Sequence, residues 1–186
     1  MVDTPGFSNT TKSDTEVLAD ICTWTSLGYK EKRLPSGIIY LHRITDVCLD
    51  GPTQKTLGMF ERFCGPSALQ NVLLTTTKWS NIDPMLGWQH EEDLRHQDFW
   101  GGLISKGASL ERFTGARESG LELIYKLMKR EPKPLCIQDQ MVEKGMALVE
   151  TDAGKFIKDE LISLQKKYEK DLGPRERTSE CSNGER

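Results

Sequence analysis

Asp3 and Gly6, in the opening residues MVDTPGF, have a spacing that suits phosphate chemistry. An aspartate in such a turn can hold Mg²⁺ through a water molecule, and a glycine amide three residues later can donate to a terminal phosphate. The same four letters, DTPG, also describe an ordinary Pro-Gly turn, and Asp and Gly recur at this spacing by chance about once in a chain of this length. The motif is therefore a hypothesis that needs support from other residues.

Three histidines are further candidates for chemistry. His42 and Asp46 flank Arg-Ile-Thr directly after a predicted strand, where α/β proteins bind ligands, although polar contacts at the strand end are the favoured interpretation. His90 and His96 are six residues apart and do not match the zinc pattern H-E-x-x-H, which favours a solvated helix face. The histidines alone therefore predict no metal centre.

Composition limits the class of protein. A chain of 186 residues is the size of one domain and can bury a core without disulfides. A net charge of −3 does not attract nucleic acid electrostatically, so nucleic acid is not expected as a partner. Five widely spaced cysteines predict reduced thiols in a cytoplasmic protein, and neither a signal peptide nor a membrane-spanning stretch is expected.

The elements that must position these residues alternate between helix and strand. A capping box at Ser13-x-x-Glu16 predicts a helix that runs to about Tyr29. Its expected buried positions are Val17, Leu18, Ile21 and Trp24. The apolar run at 38–41 predicts a buried parallel strand, and the next helix should stop at Gly65.

The same alternation continues through the middle of the chain. A second strand is predicted at 72–74, followed by one helix over HEEDLRHQDFWGGLISKG, a weak strand at SLERFTG, and a further helix. In this further helix the residues expected to face inward are Leu121, Ile124 and Met128. Alternating strands and helices predict an α/β fold with a three-layer, mostly parallel sheet that has helices on both faces.

The carboxy-terminal third has a different pattern. Apolar residues recur every three or four positions from about 139 to 172 and predict one long helical extension over 136–172, with Gly145 and Gly154 as possible bends. This helix should either dock on the domain or pair with a partner protein or a second copy. Residues 173–186 have nothing to bury and are expected to be disordered.

Several motifs occur in a recognisable order. After the DTPGF turn come GIIYLHRITD, MFERFCG, LLTTTKW and DFW. In this order they resemble the P-loop GTPases of the translation-factor and Ras-like superclass, and more closely the fungal G-domain proteins related to septins and immunity-associated GTPases. The later stretches PLCIQDQMV and ETDAG resemble the carboxy-terminal extension of that family. The resemblance covers most of the chain and implies a P-loop NTPase-like fold, with a partial G domain over 1–135.

The resemblance also implies roles for single residues. Asp3 would hold Mg²⁺ through a water molecule, Gly6 would contact the γ-phosphate of GTP, and Thr77 and Lys78 would form the loop that binds the base. Ser80 stands where the family has the aspartate that recognises guanine, so guanine specificity is in question. A second base-contacting loop would use either Gly115-Ala116 or Ser119-Gly120.

Two departures from the family affect catalysis. Phe7 occupies the position of the glutamine that orients the attacking water in Ras-like enzymes, so any hydrolysis should be slow. The phosphate-binding loop G-x-x-x-x-G-K-[ST] does not occur in these residues, which predicts an amino-terminally truncated gene model or a decayed paralogue. The edge of the strand at 38–41 would then be unpaired.

Two functional hypotheses follow from these motifs and departures. The first is a GTP-binding domain, present as a fragment that neither binds nor hydrolyses GTP by itself. The second is a non-catalytic interaction module that acts through its helical extension. No catalytic residue is assigned in either case, and GTP and Mg²⁺ are ligands of an intact relative.

Overall fold

Strand and helix alternate along the chain, as the hydrophobic pattern predicts. The computed structural model describes residues 1–4, 13–46, 51–158 and 162. In chain order its main elements are α1 (Asp14–Lys30), β1 (Ile38–Arg43), α2 (Gly51–Cys64), β2 (Val72–Thr77), α3 (Pro84–Leu94), α4 (Gly102–Ser105), β3 (Ser109–Arg112), α5 (Arg117–Met128), α6 (Cys136–Gln138) and α7 (Asp152–Phe156). Among the helices of these residues, none has the length and apolar character needed to span a membrane.

The three strands form one parallel sheet in the order β1-β2-β3. In the register, Ile38 lies opposite Val72 and Leu73 lies opposite Ser109. This confirms the prediction of an α/β fold with a parallel sheet. Within the described residues β1 pairs only with β2 and therefore forms an edge of the sheet.

Helices cover both faces of the sheet. On one face, Ile38 and Tyr40 of β1 join the main apolar core, to which α1, α2, α4 and the segment after residue 135 contribute. On the other face, Leu123 and Leu127 of α5 pack on Leu73. The prediction that the strand at 38–41 is buried on both sides is wrong, because residues 38–40 are only half-buried and Leu41 is 62% exposed.

The start of α1 was predicted correctly. The Ser13 hydroxyl accepts a hydrogen bond from the Glu16 amide at 3.2 Å, and the Ser13 amide donates to the Glu16 carboxylate at 2.7 Å, which is a complete capping box. Trp24, however, is 51% exposed, whereas Cys22 and Thr25 are buried. The buried face of α1 is therefore rotated from the predicted one towards smaller residues.

The single helix predicted over 90–107 is interrupted. α3 ends at Leu94, and a wide π-helical turn at Gln97–Gly101 precedes α4. Phe99 has non-helical dihedral angles, and a Cβ at Gly101 would lie 2.6 Å from the carbonyl oxygen of Arg95. The close approach of the two backbones breaks the helix there and places Trp100 in the core.

The inward face of α5 also differs from the prediction. Leu123 and Leu127 are buried, whereas Ile124 is 37% exposed and Met128 is 67% exposed. The helix carries two apolar stripes, and the stripe that contains Leu123 packs on the sheet. The residues expected to face inward form the second stripe, which is largely uncovered.

The predicted long helical extension is wrong over its described part. Residues 136–156 form α6, a π-helical turn at Asp139–Glu143, a short 3-10 turn at Leu148–Glu150, and α7. Gly145 has a φ of +64° and turns the chain, and Gly154 sits against the carbonyl oxygen of Leu148 where a Cβ would not fit. Local glycine geometry therefore overrides the apolar periodicity. Residues 159–161, 163–172 and the tail 173–186 lie outside the described residues.

Of the two interpretations offered for the extension, docking is the one observed over residues 136–158. The Gln138 side-chain amide donates to the Thr25 carbonyl of α1 at 2.9 Å. The Arg62 guanidinium of α2 lies 4.0 Å from the centre of the Phe156 ring. This segment therefore completes the core beside α1 and α2.

Gly65 offers a test of how α2 is joined to α6. It has a φ of +73°, and a Cβ there would lie 2.5 Å from the Cβ of Cys136. We expect Gly65→Ala to lower the free energy of unfolding by about 1–3 kcal/mol, measured by urea denaturation, because the backbone strain and the contact both disfavour alanine. Gly115→Ala is the control, since its φ of +90° carries backbone strain but nothing lies within 4 Å. An equal loss in both variants would contradict the packing part of this account.

Candidate functional site

The carboxyl ends of the three strands meet at one edge of the sheet, because the strands are parallel. β1 ends at Arg43, β2 at Thr77 and β3 at Arg112. The loops that follow them carry most of the side chains that the sequence singled out. Ligands of open α/β sheets bind at this edge.

Thr77 and Lys78 lie at the centre of this edge. The Thr77 hydroxyl donates to the His42 carbonyl at 3.1 Å, and the Ile44 amide donates to the Thr77 carbonyl at 2.9 Å. Lys78 follows in the left-handed conformation, with φ +63° and ψ +31°, and is exposed. Such a backbone is uncommon for a residue other than glycine, and it is held here by the bonds on either side.

Trp79 anchors the loop after Lys78. Its indole nitrogen donates to the Thr76 hydroxyl at 3.0 Å. The Arg112 guanidinium lies 4.4 Å from the centre of the Trp79 ring and 4.7 Å from that of Trp88. The guanidinium therefore makes cation–π contacts with two tryptophans, one from the loop after β2 and one from α3.

Glu91 fixes Arg112 in this position. Its side chain is buried and accepts a hydrogen bond from Arg112 Nε at 2.8 Å, with a second, shorter one from Nη2. Hydrogen bonding to Glu91 is the main cause that raises the pKa of Arg112. This group of Trp79, Trp88, Glu91 and Arg112, called here the arginine clamp, ties the ends of β2 and β3 to α3.

The loop after β3 begins beside the end of β2. The Phe113 amide donates to the Thr76 carbonyl at 2.8 Å, which extends the pairing of β3 beside β2. Gly115 and Ala116 form the loop directly before α5, whereas Ser119 and Gly120 lie inside that helix. The Gly120 amide already donates to the Ala116 carbonyl at 3.2 Å. Of the two alternatives for a second contacting loop, Gly115-Ala116 is therefore the one placed in a loop.

Ser80 does not supply a charge to this edge. Its hydroxyl donates to the Asn81 side-chain oxygen at 3.0 Å. The next carboxylate along the chain, Asp83, accepts from the amides of Met85 and Leu86 at 2.9 and 3.2 Å and so caps α3. The loop around Lys78 therefore presents neutral groups where a guanine-binding loop has an aspartate.

His42 and Asp46 make contacts at the end of β1, which is the interpretation that the sequence favoured. His42 Nε2 lies 3.2 Å from the Asp46 carbonyl oxygen, and its ring lies edge-on to Trp100 at 5.6 Å. Arg43 Nε donates to the Asp46 carboxylate at 2.8 Å. Burial is the main cause that lowers the pKa of His42 from its ordinary value.

The solvated helix face expected for the other histidines is wrong for His90. His90 is buried, and its Nδ1 lies 2.8 Å from the Ile44 carbonyl oxygen, to which the Nδ1–H donates. His96 is exposed, as expected. His90 thus joins α3 to the residue that follows β1, a contact that the spacing of the histidines does not reveal.

Only part of the predicted phosphate and metal site lies within the described residues. Asp3 is exposed in the opening residues, and Gly6 lies outside the described residues. No group of three or more His, Cys, Asp or Glu side chains in the described ranges could hold a metal ion. The residues described do not assemble a magnesium site around Asp3, so Mg²⁺ stays an expectation of the resemblance.

Comparison with known proteins adds no relative. Neither a scan against protein-family models nor a search of the curated proteins finds a match to this chain. The assignment of the site therefore depends on the ordered motifs and on the geometry of the sheet edge.

The arginine clamp can be tested through stability. We expect Arg112→Ala to lower the free energy of unfolding by about 1–3 kcal/mol in urea denaturation at neutral pH, because the buried Glu91 carboxylate loses its donors. Arg95→Ala is the matched control, since the Arg95 side chain is 46% exposed and lies 3.7 Å from an exposed Glu92. We expect a change below about 0.5 kcal/mol there. If the two variants lose equal stability, the clamp does not act as described.

His42 predicts a pH dependence of stability. Because burial lowers the pKa of His42 in the folded protein, the unfolded chain takes up a proton first as the pH falls. The stability contributed by neutral His42 is therefore present above its ordinary pKa and is lost as the pH falls through the lowered value. We expect His42→Gln to flatten the urea midpoint measured between about pH 8 and pH 5. A slope equal in the wild-type protein and in His42→Gln would contradict the assignment.

Proposed function

We propose that this chain is a GTP-binding domain of the P-loop NTPase superfamily, present as the part of a G domain from the Asp-x-x-Gly turn onward. The observation that carries the proposal is the placement of Lys78. It stands in a left-handed turn at the carboxyl end of the central strand, and Gly115 and Ala116 belong to the loop that follows the neighbouring strand β3. The base-binding lysine of a G domain has the same relation to its two loops.

The strand order supports the same proposal. The three strands would be the fourth, fifth and sixth of a complete G domain, and they lie parallel and side by side in chain order. The edge at β1 is where the first strand of a Ras-like sheet would pair. We therefore propose a P-loop NTPase-like fold, which the parallel sheet and its strand order support.

Within this proposal Lys78 lies along the face of the base, and the loop at Gly115-Ala116 supplies backbone amides to its edge. Asp3 holds Mg²⁺ through water and Gly6 contacts the γ-phosphate in an intact relative. No residue of this chain is assigned to hydrolysis. The loop that binds phosphates most strongly, through backbone amides and a lysine, does not occur in these 186 residues.

A non-catalytic interaction module is the second candidate. The observation that favours it is the exposed apolar surface of α5, which includes Ile124 and Met128. Because the described part of the extension packs on α1 and α2, an interaction surface of this module would lie elsewhere, beside α5 at the edge of the sheet. The protein partner of such a module is not identified by the chain.

The sequence of the messenger RNA distinguishes the two candidate functions. Amplification of the messenger RNA upstream of Met1 should reveal an in-frame strand followed by G-x-x-x-x-G-K-[ST] if the G-domain proposal is correct. A stop codon or an unrelated exon in that place would favour the interaction module. A protein made from an extended reading frame should bind fluorescent GTP, and Lys78→Ala should weaken that binding at least tenfold because the base loses its stacking partner.

Nucleotide binding by the 186-residue chain itself is a direct test. We expect titration with fluorescent GTP and Mg²⁺ to show no binding tighter than about 1 mM, because phosphate contacts supply most of the affinity of such sites. Fluorescence anisotropy measures this, and unlabelled GTP serves as the competitor that exposes binding by the dye. Micromolar binding would show that the chain binds phosphate through residues to which no such role has been assigned.

A further inference from the structure

An open cleft lies between the last turns of α2 and the short helix α7. It has a volume of about 430 Å³ and is lined by Arg62 of α2 with Asp152, Lys155 and Phe156 of α7. We call it the α2–α7 cleft. A concave space of this volume, with an aromatic ring and a few charged groups in its lining, has the size and composition of a site for a small ligand.

The aromatic wall of the cleft is fixed by contacts with α2. The Phe156 ring packs on Gly58, where a Cβ would lie 2.8 Å from the ring Cζ atom. The Arg62 guanidinium lies 4.0 Å from the centre of this ring, and its Nη1 donates to the Gly58 carbonyl at 2.8 Å. A guanidinium has five N–H donors, so Arg62 is held in position and still has donors to offer to a ligand.

The two cations of the cleft lack a carboxylate partner. Glu61, which precedes Arg62 in the chain, is paired with Lys106 instead. Within the described residues, neither Arg62 nor Lys155 belongs to an ion pair. Because both side chains line the same space, two uncompensated positive charges are available to one bound group.

Asp152 does not neutralise these charges, because it is engaged by Gln140. Its carboxylate accepts a hydrogen bond from the Gln140 side-chain amide at 2.6 Å, and its backbone amide donates to the Gln140 side-chain oxygen at 3.0 Å. Two cations and one carboxylate give the lining a charge of +1, in a chain whose net charge is −3. The cleft therefore favours an anion.

From this we infer that the α2–α7 cleft binds a small organic phosphate. A guanidinium can donate two parallel hydrogen bonds to phosphate oxygens, and the Lys155 ammonium supplies a second positive charge. A phosphate monoester carries nearly two negative charges at neutral pH, which matches two unpaired cations better than the single charge of a carboxylate does. The organic part of the ligand lies against Phe156, whose surface is 37% exposed.

This cleft is separate from the Lys78 loop. α2 carries the chain from the carboxyl end of β1 back to the amino end of β2, with which β1 is parallel. The last turn of α2, which contains Arg62, therefore lies towards the amino ends of the strands, whereas Lys78 lies at their carboxyl ends. The inference does not rest on the proposed function.

A titration of the ¹⁵N-labelled 186-residue chain with phenyl phosphate, followed by NMR at constant ionic strength, tests this inference. We expect saturable shifts of the amide signals of Gly58 and of residues 152–156, with a Kd of about 1–5 mM for so small a probe. Phenol has the ring without the phosphate and should produce no saturable shift. Benzoate has one negative charge and should bind about threefold more weakly or less tightly still.

Variants at the two cations identify the site. Lys155→Ala and Arg62→Ala should each raise the Kd about fivefold or more, because each removes a charge-assisted contact to the phosphate. Arg62→Lys should also raise it, since a lysine keeps the charge but loses the paired hydrogen bonds. Lys129→Ala is the matched control, because it removes the same charge from an exposed position after α5 and should leave the Kd unchanged.

Circular dichroism and the urea midpoint verify that each variant is folded. If Arg62→Ala fails to fold, Lys155→Ala decides the outcome, since Lys155 is exposed. The inference is overturned if phenyl phosphate gives no saturable shift at these amides, if benzoate binds equally well, or if Lys155→Ala and Lys129→Ala have the same Kd. Such a failure leaves the nucleotide proposal in place, because that proposal is tested by the messenger RNA and by Lys78→Ala.

Discussion

The pairing of β2 on both sides is the constraint on which the rest of the structure depends. Residues 72–76 are fully buried, and their backbone groups are paired with β1 on one side and β3 on the other. Because a central parallel strand is hydrogen-bonded to two neighbours, its register cannot shift, and the position of its carboxyl end is fixed. The position of Lys78 follows from this register, since it is the first residue after the strand.

The arginine clamp makes that end rigid. A buried carboxylate such as Glu91 must be paired, and its partner Arg112 stands at the end of the neighbouring strand. The guanidinium also lies against the rings of two tryptophans, one of which directly follows Lys78. The electrostatic requirement of one glutamate thus fixes the loop that carries the candidate lysine. A lysine at position 112 would keep the charge but lose the two-pronged hydrogen bond and the stacking.

The parts of the structure that depend on neighbouring residues could be predicted from the sequence. The capping box at Ser13 and the alternation of strands and helices require only residues a few positions apart, and both were found where expected. Contacts between distant residues could not be predicted in this way. Glu91 and Arg112 are 21 residues apart, and neither a spacing rule nor a hydrophobic period joins them.

The errors in the prediction have a common physical cause. Apolar periodicity identifies a stripe on a helix but does not say which partner covers it, so the stripe at Leu121, Ile124 and Met128 was assigned to the sheet. In the carboxy-terminal segment, the periodicity continues through Gly145, whose positive φ turns the backbone out of the helical path. A single residue with left-handed geometry changes the path of the backbone without changing the pattern of apolar letters. For the same reason the left-handed turn at Lys78 could not be read from TTTKW.

The geometry of the Lys78 loop bears on which base it would accept. A guanine-binding loop discriminates by a carboxylate that accepts from two base nitrogens, and here Ser80 points its hydroxyl at Asn81 while Asp83 is used by the first turn of α3. Moving Asp83 to the base would leave two helix amides without an acceptor, which opposes such a rearrangement. A base held at this loop would therefore be selected by stacking on the Lys78 stem and by backbone amides. Stacking is available to every purine, so the loop should distinguish guanine from adenine less sharply than one with an aspartate.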